Sequence, residues 1–289
     1  MPYVKIMTDS VCSIPPELAG EHNIKVVPAA NIDYGGQMYL DGVDISPAEA
    51  YRLLEKDPDK FSATTLSPGD FMGYFHEAKK ESNDILYIGF SSALSGTFKL
   101  VVLAAEQFQK EEPGVNIRVF DSKTAAGAQG LLAVAAAKAA ATGMGLDGVV
   151  DIVERARKKT GGIMMLDTLR YVYRTGRMSK TAARLVSLLN IKPINRMTDE
   201  GKLEMIDRVR KREDGFNRVL NFIKKEADTK SLHFIVSHAD APETGKRVSE
   251  LLRQNFDCLS LYLSEYSPIM GYSVGAGCFF VGYQPDTGF

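Results

Sequence analysis

The sequence lacks tryptophan, holds three cysteines and four histidines, and carries almost no net charge, with 35 Lys+Arg against 36 Asp+Glu over 289 residues. Each shortage excludes something. Cys12, Cys258 and Cys278 form no C-x-x-C pair and are odd in number, which argues against a disulfide framework and suits a reducing cytosol. With the histidines scattered as well, no zinc constellation is present, and neither a metal nor another cofactor is expected. A formal charge of −1 excludes whole-chain adhesion to nucleic acid or to an anionic membrane. No run of about 18 apolar residues occurs, so no membrane span is expected; the Ala-rich stretch 131–141 is broken by Lys138. The opening MPYVKIMTDS has neither the basic segment nor the apolar run of a targeting peptide. A soluble, cytoplasmic protein is expected. With 45% apolar residues the composition is that of a folded globular chain.

What is present is an alternation of short β-branched runs with longer amphipathic stretches. Strands are predicted at 4–7, 24–32, 37–40, 85–90 and 117–120. Helices are predicted at 15–22, 47–56, 68–82 and 97–111, then, after the strand at 117–120, as an Ala-rich helix to about 142, and at 146–159. Ser46 and Ser67 each precede a proline and read as N-caps, and Gly35-Gly36 reads as a hairpin turn. After Gly161-Gly162 the rhythm restarts, with strands at 163–166, 192–194, 203–209, 232–237, 258–265 and 278–283. Helices are predicted there at 168–175, 179–190, 212–226 and 242–255, and a turn at 198–201. This order predicts a two-lobed α/β fold. Residues 1–161 would form a mainly parallel sheet with helices on both faces, and 162–289 a mixed α/β sheet, with the diglycine as linker and a ligand between the lobes.

The charge sum conceals a pattern. Between Arg155 and Lys225 there are 19 Lys/Arg and 7 Asp/Glu, so this segment is strongly basic and the remainder acidic. It reads either as solvated, Arg-rich helix faces or as a face for an acidic protein or phosphate-bearing ligand.

Two glycine motifs carry little. Gly143-x-Gly145-x-x-Gly148 follows an Ala-rich helix rather than a strand, so its amides would not converge on a pyrophosphate, and it reads as a helix cap and linker. Thr244-Gly245-Lys246 lacks the first glycine of a P-loop. The informative stretch is Gly89-Phe-Ser91-Ser92-Ala-Leu-Ser95-Gly96-Thr97, which joins an apolar strand to an amphipathic helix. Its hydroxyls and unpaired N–H groups would gather at a helix N-terminus, a place suited to an anionic oxygen. The same residues come near a G-x-S-x-G elbow, with Ser91 as nucleophile, His238 as base, and Asp121 or Asp167 between them in the order of an α/β-hydrolase. The HGGG-type oxyanion motif is missing. Thr8-Asp9-Ser10 and Asp121-Ser122 are further polar groups at strand ends, where open α/β sheets hold their ligands, and Thr64-Thr65 precedes the Ser67-Pro68 helix start.

Taken in order, Thr8-Asp9-Ser10, Asp41-Gly42-Val-Asp44-Ile45, Ser67-Pro68-Gly69-Asp70-Phe71, the Ser91–Thr97 stretch, Asp121-Ser122, Asp167–Tyr171 with Gly176-Arg177-Met178-Ser179, Ile191–Ile194 and the glycine-rich 271–282 resemble the DegV family over nearly the whole chain. The resemblance implies a two-lobed α/β protein that performs no chemistry alone and buries one long-chain fatty acid between the lobes, its carboxylate held by hydroxyls. Better-understood members present the acyl group to a separate ATP-binding fatty acid kinase subunit. Carried over, the carboxylate-binding serine falls on Ser95, with Gly96 supplying backbone and Ser92 beside it. The threonine partner falls on Thr64 or Thr65, and the Arg of the Gly-Arg motif on Arg177. Many members have His where this chain has Ser273, so the resemblance implies binding more than coupling to phosphorylation.

Overall fold

The computed structural model describes residues 4–176 and 191–288. The helix predicted at 179–190 and Arg177 lie outside the described residues.

The first sheet has the order β2-β1-β6-β7, all parallel, from β1 (Val4–Asp9), β2 (Lys25–Val27), β6 (Asp84–Gly89) and β7 (Asn116–Asp121). Side chains alternate across a strand, and both faces here are apolar. Met7, Ile85 and Tyr87 face α3 (Pro68–Lys79) and α4 (Thr97–Glu111), while Ile6, Leu86 and Ile88 face α5 (Ala126–Ala141) and α6 (Leu146–Arg157). Parallel strands buried on both sides need such continuous apolar runs.

The second sheet has the order β10-β9-β8-β13-β11-β12. Its strands are β8 (Gly161–Met165), β9 (Lys192–Met197), β10 (Leu203–Val209), β11 (Ser231–His238), β12 (Asp257–Glu265) and β13 (Phe279–Pro285). Only the β11–β12 pair is parallel, so the sheet is mixed. Its outer face packs α8 (Arg212–Glu226) and α9 (Pro242–Asn255), and its inner face meets α5. Helix α5 is therefore shared between the two sheets and, Gln129 and Lys138 apart, is apolar all round, as a helix buried on nearly every side must be. Gly127 and Gly282 let it approach: a Cβ on Gly127 would lie 2.5 Å from the Ile235 carbonyl oxygen, and one on Gly282 2.3 Å from the Ala128 nitrogen.

A third, antiparallel sheet, β4-β3-β5, combines β3 (Ala30–Tyr34), β4 (Gln37–Leu40) and β5 (Phe61–Thr65). It packs with α2 (Pro47–Lys56) around Ile32, Ile45, Leu54 and Phe61. The continuous strand expected at 24–32 is broken at Pro28-Ala29, and its halves join different sheets; Pro28 has no N–H to continue a ladder. Two elements were not expected from the sequence: β5, and the short helix α10 (Pro268–Val274) within the glycine-rich stretch. The remaining helices are α1 (Pro16–Glu21) and α7 (Arg170–Arg174). Gly161 and Gly162 do not form a linker. Both lie in β8 beneath the rings of Tyr283 and Phe280, where a Cβ would come within 2.0 Å and 2.4 Å of ring atoms. Gly143, with φ +87°, ends α5, and Gly145 precedes α6, so the glycine triplet there is cap and connection.

Candidate functional site

A cavity of about 170 Å³ runs between the first sheet, the small sheet and the second sheet. Its walls are apolar: Val11, Ala29 and Ala30 from the first lobe, Met164, Met197, Leu203 and Phe280 from the second sheet, Val172 from α7, and Ile269, Met270 and Val274 from α10. Thr64, Thr65, Ser95 and Thr97 are hydroxyl-bearing residues that line the same cavity.

Ser95 sits at the turn into α4. Its Oγ accepts from the Thr97 N–H at 3.2 Å and donates to Thr97 Oγ1 at 2.9 Å, which leaves the Thr97 hydroxyl proton to be given onward. Ser95 is half-buried and Thr97 buried. Thr64 and Thr65 end β5, opposite Asn31 and Ala30 of β3, and both are exposed at the border of the cavity. The arrangement can hold a group that accepts several hydrogen bonds, next to a surface that takes a hydrocarbon.

The other candidates are placed differently. Ser92 is exposed, does not line the cavity, and is tied to Asp121, donating from Oγ to Oδ2 at 2.5 Å and from its N–H to Oδ1 at 3.2 Å. Gly96 is the N-cap of α4 with ordinary helical φ and ψ, and is also outside the lining. Ser273 borders the cavity, with its hydroxyl donated to the Ile269 carbonyl at 2.9 Å.

No nucleophile elbow forms. Ser91 is fully buried and donates its hydroxyl to the Gly201 carbonyl at 2.7 Å. His238 Nδ1 accepts from the Ala241 N–H at 3.3 Å, Asp121 serves the Ser92 loop, and Asp167 is paired with Lys192 and with Arg212, the latter at 2.5 Å. The four groups of the supposed hydrolase site each have another partner.

Two buried carboxyls flank the cavity. Asp9 lines it; burial pushes its pKa up to about 6, against the lowering effect of N–H donation from Phe90 at 2.9 Å, of Gln129 at 3.1 Å and of Val11 at 3.2 Å. Asp41 is likewise raised by burial to about 6, although Ser10 donates to its Oδ2 and the Ile269 N–H to its Oδ1 at 2.9 Å. That last bond ties the turn after β4 to α10. Arg174 of α7 adds a second tie: its guanidinium lies 4.8 Å from the Tyr272 ring centroid and donates to the Pro58 carbonyl at 2.5 Å. Tyr272 lines the cavity and stacks on Phe61 at 5.1 Å.

Sequence reasoning counted Thr97 among the hydroxyls of the Ser91–Thr97 stretch without giving it a role of its own, and did not single out Tyr272 or the aliphatic walls. Thr97 was visible as a hydroxyl beside Ser95; nothing in one sequence distinguishes Val172 or Met270 from ordinary core. Three of the eleven methionines and two of the fourteen phenylalanines line the cavity, and the rest serve elsewhere. Among the described residues no group of acidic, His and Cys side chains could hold a metal, and no helix is long and apolar enough to cross a membrane.

A family model described as "Uncharacterised protein, DegV family" matches residues 3–286. A DegV domain-containing protein of Caldanaerobacter subterraneus subsp. tengcongensis is 33% identical over 287 residues, covering 97% of this chain and 99% of that one. The fold is similar to that of a DegV family protein from Thermus thermophilus described by its fatty acid binding, with TM-score 0.88, 24% identity and 98% and 100% of the two chains covered. It is also similar to the Streptococcus pneumoniae fatty acid kinase B3 protein loaded with linoleic acid, with TM-score 0.88, 21% identity and 99% and 100% covered. A third similar structure is a Eubacterium eligens DegV family protein loaded with heptadecanoic acid, with TM-score 0.87, 17% identity and 98% and 100% covered.

Proposed function

This chain belongs to the DegV family, and from that premise we propose that it binds one long-chain fatty acid in the cavity between its sheets. The acyl chain lies along the Met, Val, Ile and Phe walls, and the carboxylate takes hydrogen bonds from Thr97, from a threonine of β5 and from Ser95, whose hydroxyl turns from Thr97 Oγ1 to the ligand on binding. The observation that carries this reading is a single cavity that joins an apolar interior to a hydroxyl cluster at a helix start. Each buried methylene contributes about 0.8 kcal/mol, so affinity needs no charged side chain inside. A carboxylate leaving water must be hydrogen-bonded, and hydroxyls with a helix N-terminus provide that without a fixed cation. The fatty acids held by the Streptococcus pneumoniae and Eubacterium eligens proteins support the same reading. In it Ser92 and Gly96 shape the loop, and Ser273 borders the cavity with its hydroxyl held by the helix.

The protein acts as a carrier that performs no chemistry alone, in lipid transport or in presenting its cargo to a separate ATP-binding kinase subunit. The basic segment supports the second role: Arg208, Arg210 and Lys211 are exposed around the end of edge strand β10, where an acidic partner would meet them.

Native mass spectrometry of the purified protein tests the reading directly. A one-to-one adduct with the mass of a fatty acid is expected, and Ser95→Ala with Thr64→Ala should weaken retention by about 1.5–3 kcal/mol per lost charge-assisted bond. Protein that is empty throughout and takes up no added fatty acid would overturn it.

A further inference from the structure

Ser91 is a hydroxyl with no exposure to solvent, and the cavity does not use it. Its position is unusual in what it joins. The backbone of Ser91 organises the loop that carries Ser95: its carbonyl accepts from the N–H of Leu94 at 3.1 Å and of Ser95 at 3.2 Å, and its own N–H donates to the Thr124 carbonyl at 3.1 Å. Its side chain reaches out of the first sheet altogether, donating to the carbonyl of Gly201 at 2.7 Å. Gly201 closes the turn between β9 and β10, with its N–H on the Thr198 carbonyl at 2.9 Å.

The fit at that contact leaves no slack. Gly201 has φ +81°, and a Cβ there would lie 2.2 Å from Ser91 Oγ and 3.0 Å from Lys123 Cα. Glycine is thus required both for the left-handed backbone and for the approach. The residues on either side of the turn, Met197 and Leu203, line the cavity. The β9–β10 hairpin therefore forms cavity wall at its turn end, through Met197 and Leu203, and grips the Ser95 loop at its tip.

We propose that Ser91 and Gly201 are positioning residues for the head-group site: the hairpin tip clamps Ser91, and Ser91 sets the turn that aims Ser95 into the cavity. This rests on the fatty-acid reading above. A buried, cross-lobe hydrogen bond is a suitable restraint, because removing its donor leaves the Gly201 carbonyl unpaired as well as freeing the loop.

The test compares affinity for a saturated fatty acid and for the alcohol of equal chain length, by displacement of a fluorescent fatty acid, in wild type, Ser95→Ala, Ser91→Ala, Gly201→Ala and the Ser91→Ala/Gly201→Ala double variant. Wild type should prefer the acid, and Ser95→Ala should lose that preference. Ser91→Ala should bind the acid about tenfold more weakly, the value of one charge-assisted hydrogen bond, and the alcohol within about twofold of wild type. Gly201→Ala should do the same, and the double variant should lose less than the product of the two, because the Oγ that the new methyl meets is gone. Ser91→Ala deletes one atom and carries the test should Gly201→Ala fail to fold. Equal losses for acid and alcohol, or a wild-type preference in both variants while Ser95→Ala loses it, would overturn the positioning role alone. Absence of any acid preference in wild type would instead overturn the head-group assignment on which it rests.

Discussion

The same substitution, glycine to alanine, is expected to act with opposite sign at two helical positions of this protein. Gly127 lies in the first turn of α5 against β11, and the added methyl would sit 2.5 Å from the Ile235 carbonyl oxygen, 2.7 Å from its Cβ and 2.8 Å from its Cγ2. Carbon contacts are favourable at about 3.5–4.0 Å, so helix and strand would have to part by about an ångström. Because backbone is among the atoms met, rotation of a side chain cannot relieve the contact. Overpacking of this kind costs typically about 1–3 kcal/mol and more where backbone must move, against a helix-propensity gain of at most about 1 kcal/mol. The net expectation is a loss of about 1–3 kcal/mol. Gly73, exposed in α3, has nothing within 4 Å of the same methyl, and there the propensity term stands alone, a gain of about 0.5–1 kcal/mol. Equilibrium urea unfolding of both variants beside wild type, followed by far-UV circular dichroism, measures the pair. A Gly127→Ala protein as stable as wild type would refute the reasoning, because it would mean that α5 does not touch β11 as closely as described.

Further outcomes follow from the buried charges. Asp41, with its pKa near 6 in the folded protein and 3.8 as reference, binds its proton more tightly when folded. It therefore lowers stability above pH 6 and ceases to do so as pH falls toward 4. At neutral pH this amounts to about 3 kcal/mol, so the stability of Asp41→Asn relative to wild type should fall by about that much from pH 7.5 to 4; a difference that does not change with pH would contradict the assignment. Arg174→Met should lose the Tyr272 stacking and the Pro58 bond, together about 1–3 kcal/mol in urea unfolding, whereas Arg174→Lys should recover only part. Charge reversal at Arg208 and Arg210 should weaken association with an acidic kinase subunit, most at low salt, with fatty acid binding unchanged; association insensitive to both would remove that surface.

Much of the layout was legible in one sequence because it rests on local signals. Ser46-Pro47 and Ser67-Pro68 announced two helix starts, and both serines accept the expected capping bonds. Gly35-Gly36 marked the β3–β4 hairpin, and the turn at 198–201 lies where expected. The misses are non-local. Strand β5 has little apolar periodicity and exists because it pairs with β3, so Phe61–Thr65 read as connection. Helix α10 had its Ser267-Pro268 start, but the glycines after it read as loop. Gly161-Gly162 looked like a linker because nothing local reveals that the rings of Tyr283 and Phe280, about 120 residues later, need the space. At the candidate site the hydroxyl-rich loop was conspicuous by composition. The hold of Gly201 on Ser91, 110 residues away, was not.

Helix α5 has a bearing on how the protein is made. It is synthesised by residue 141, yet much of what covers its second side, in β8, β11 and β13, emerges from the ribosome only with residues 161–285. Until then a buried-type alanine surface stands bare against solvent. A fragment ending at Thr160 would present that surface permanently, so it should self-associate rather than persist as a monomer. In the complete protein the two sheets cannot part without stripping the helix between them, and they are expected to melt in a single transition.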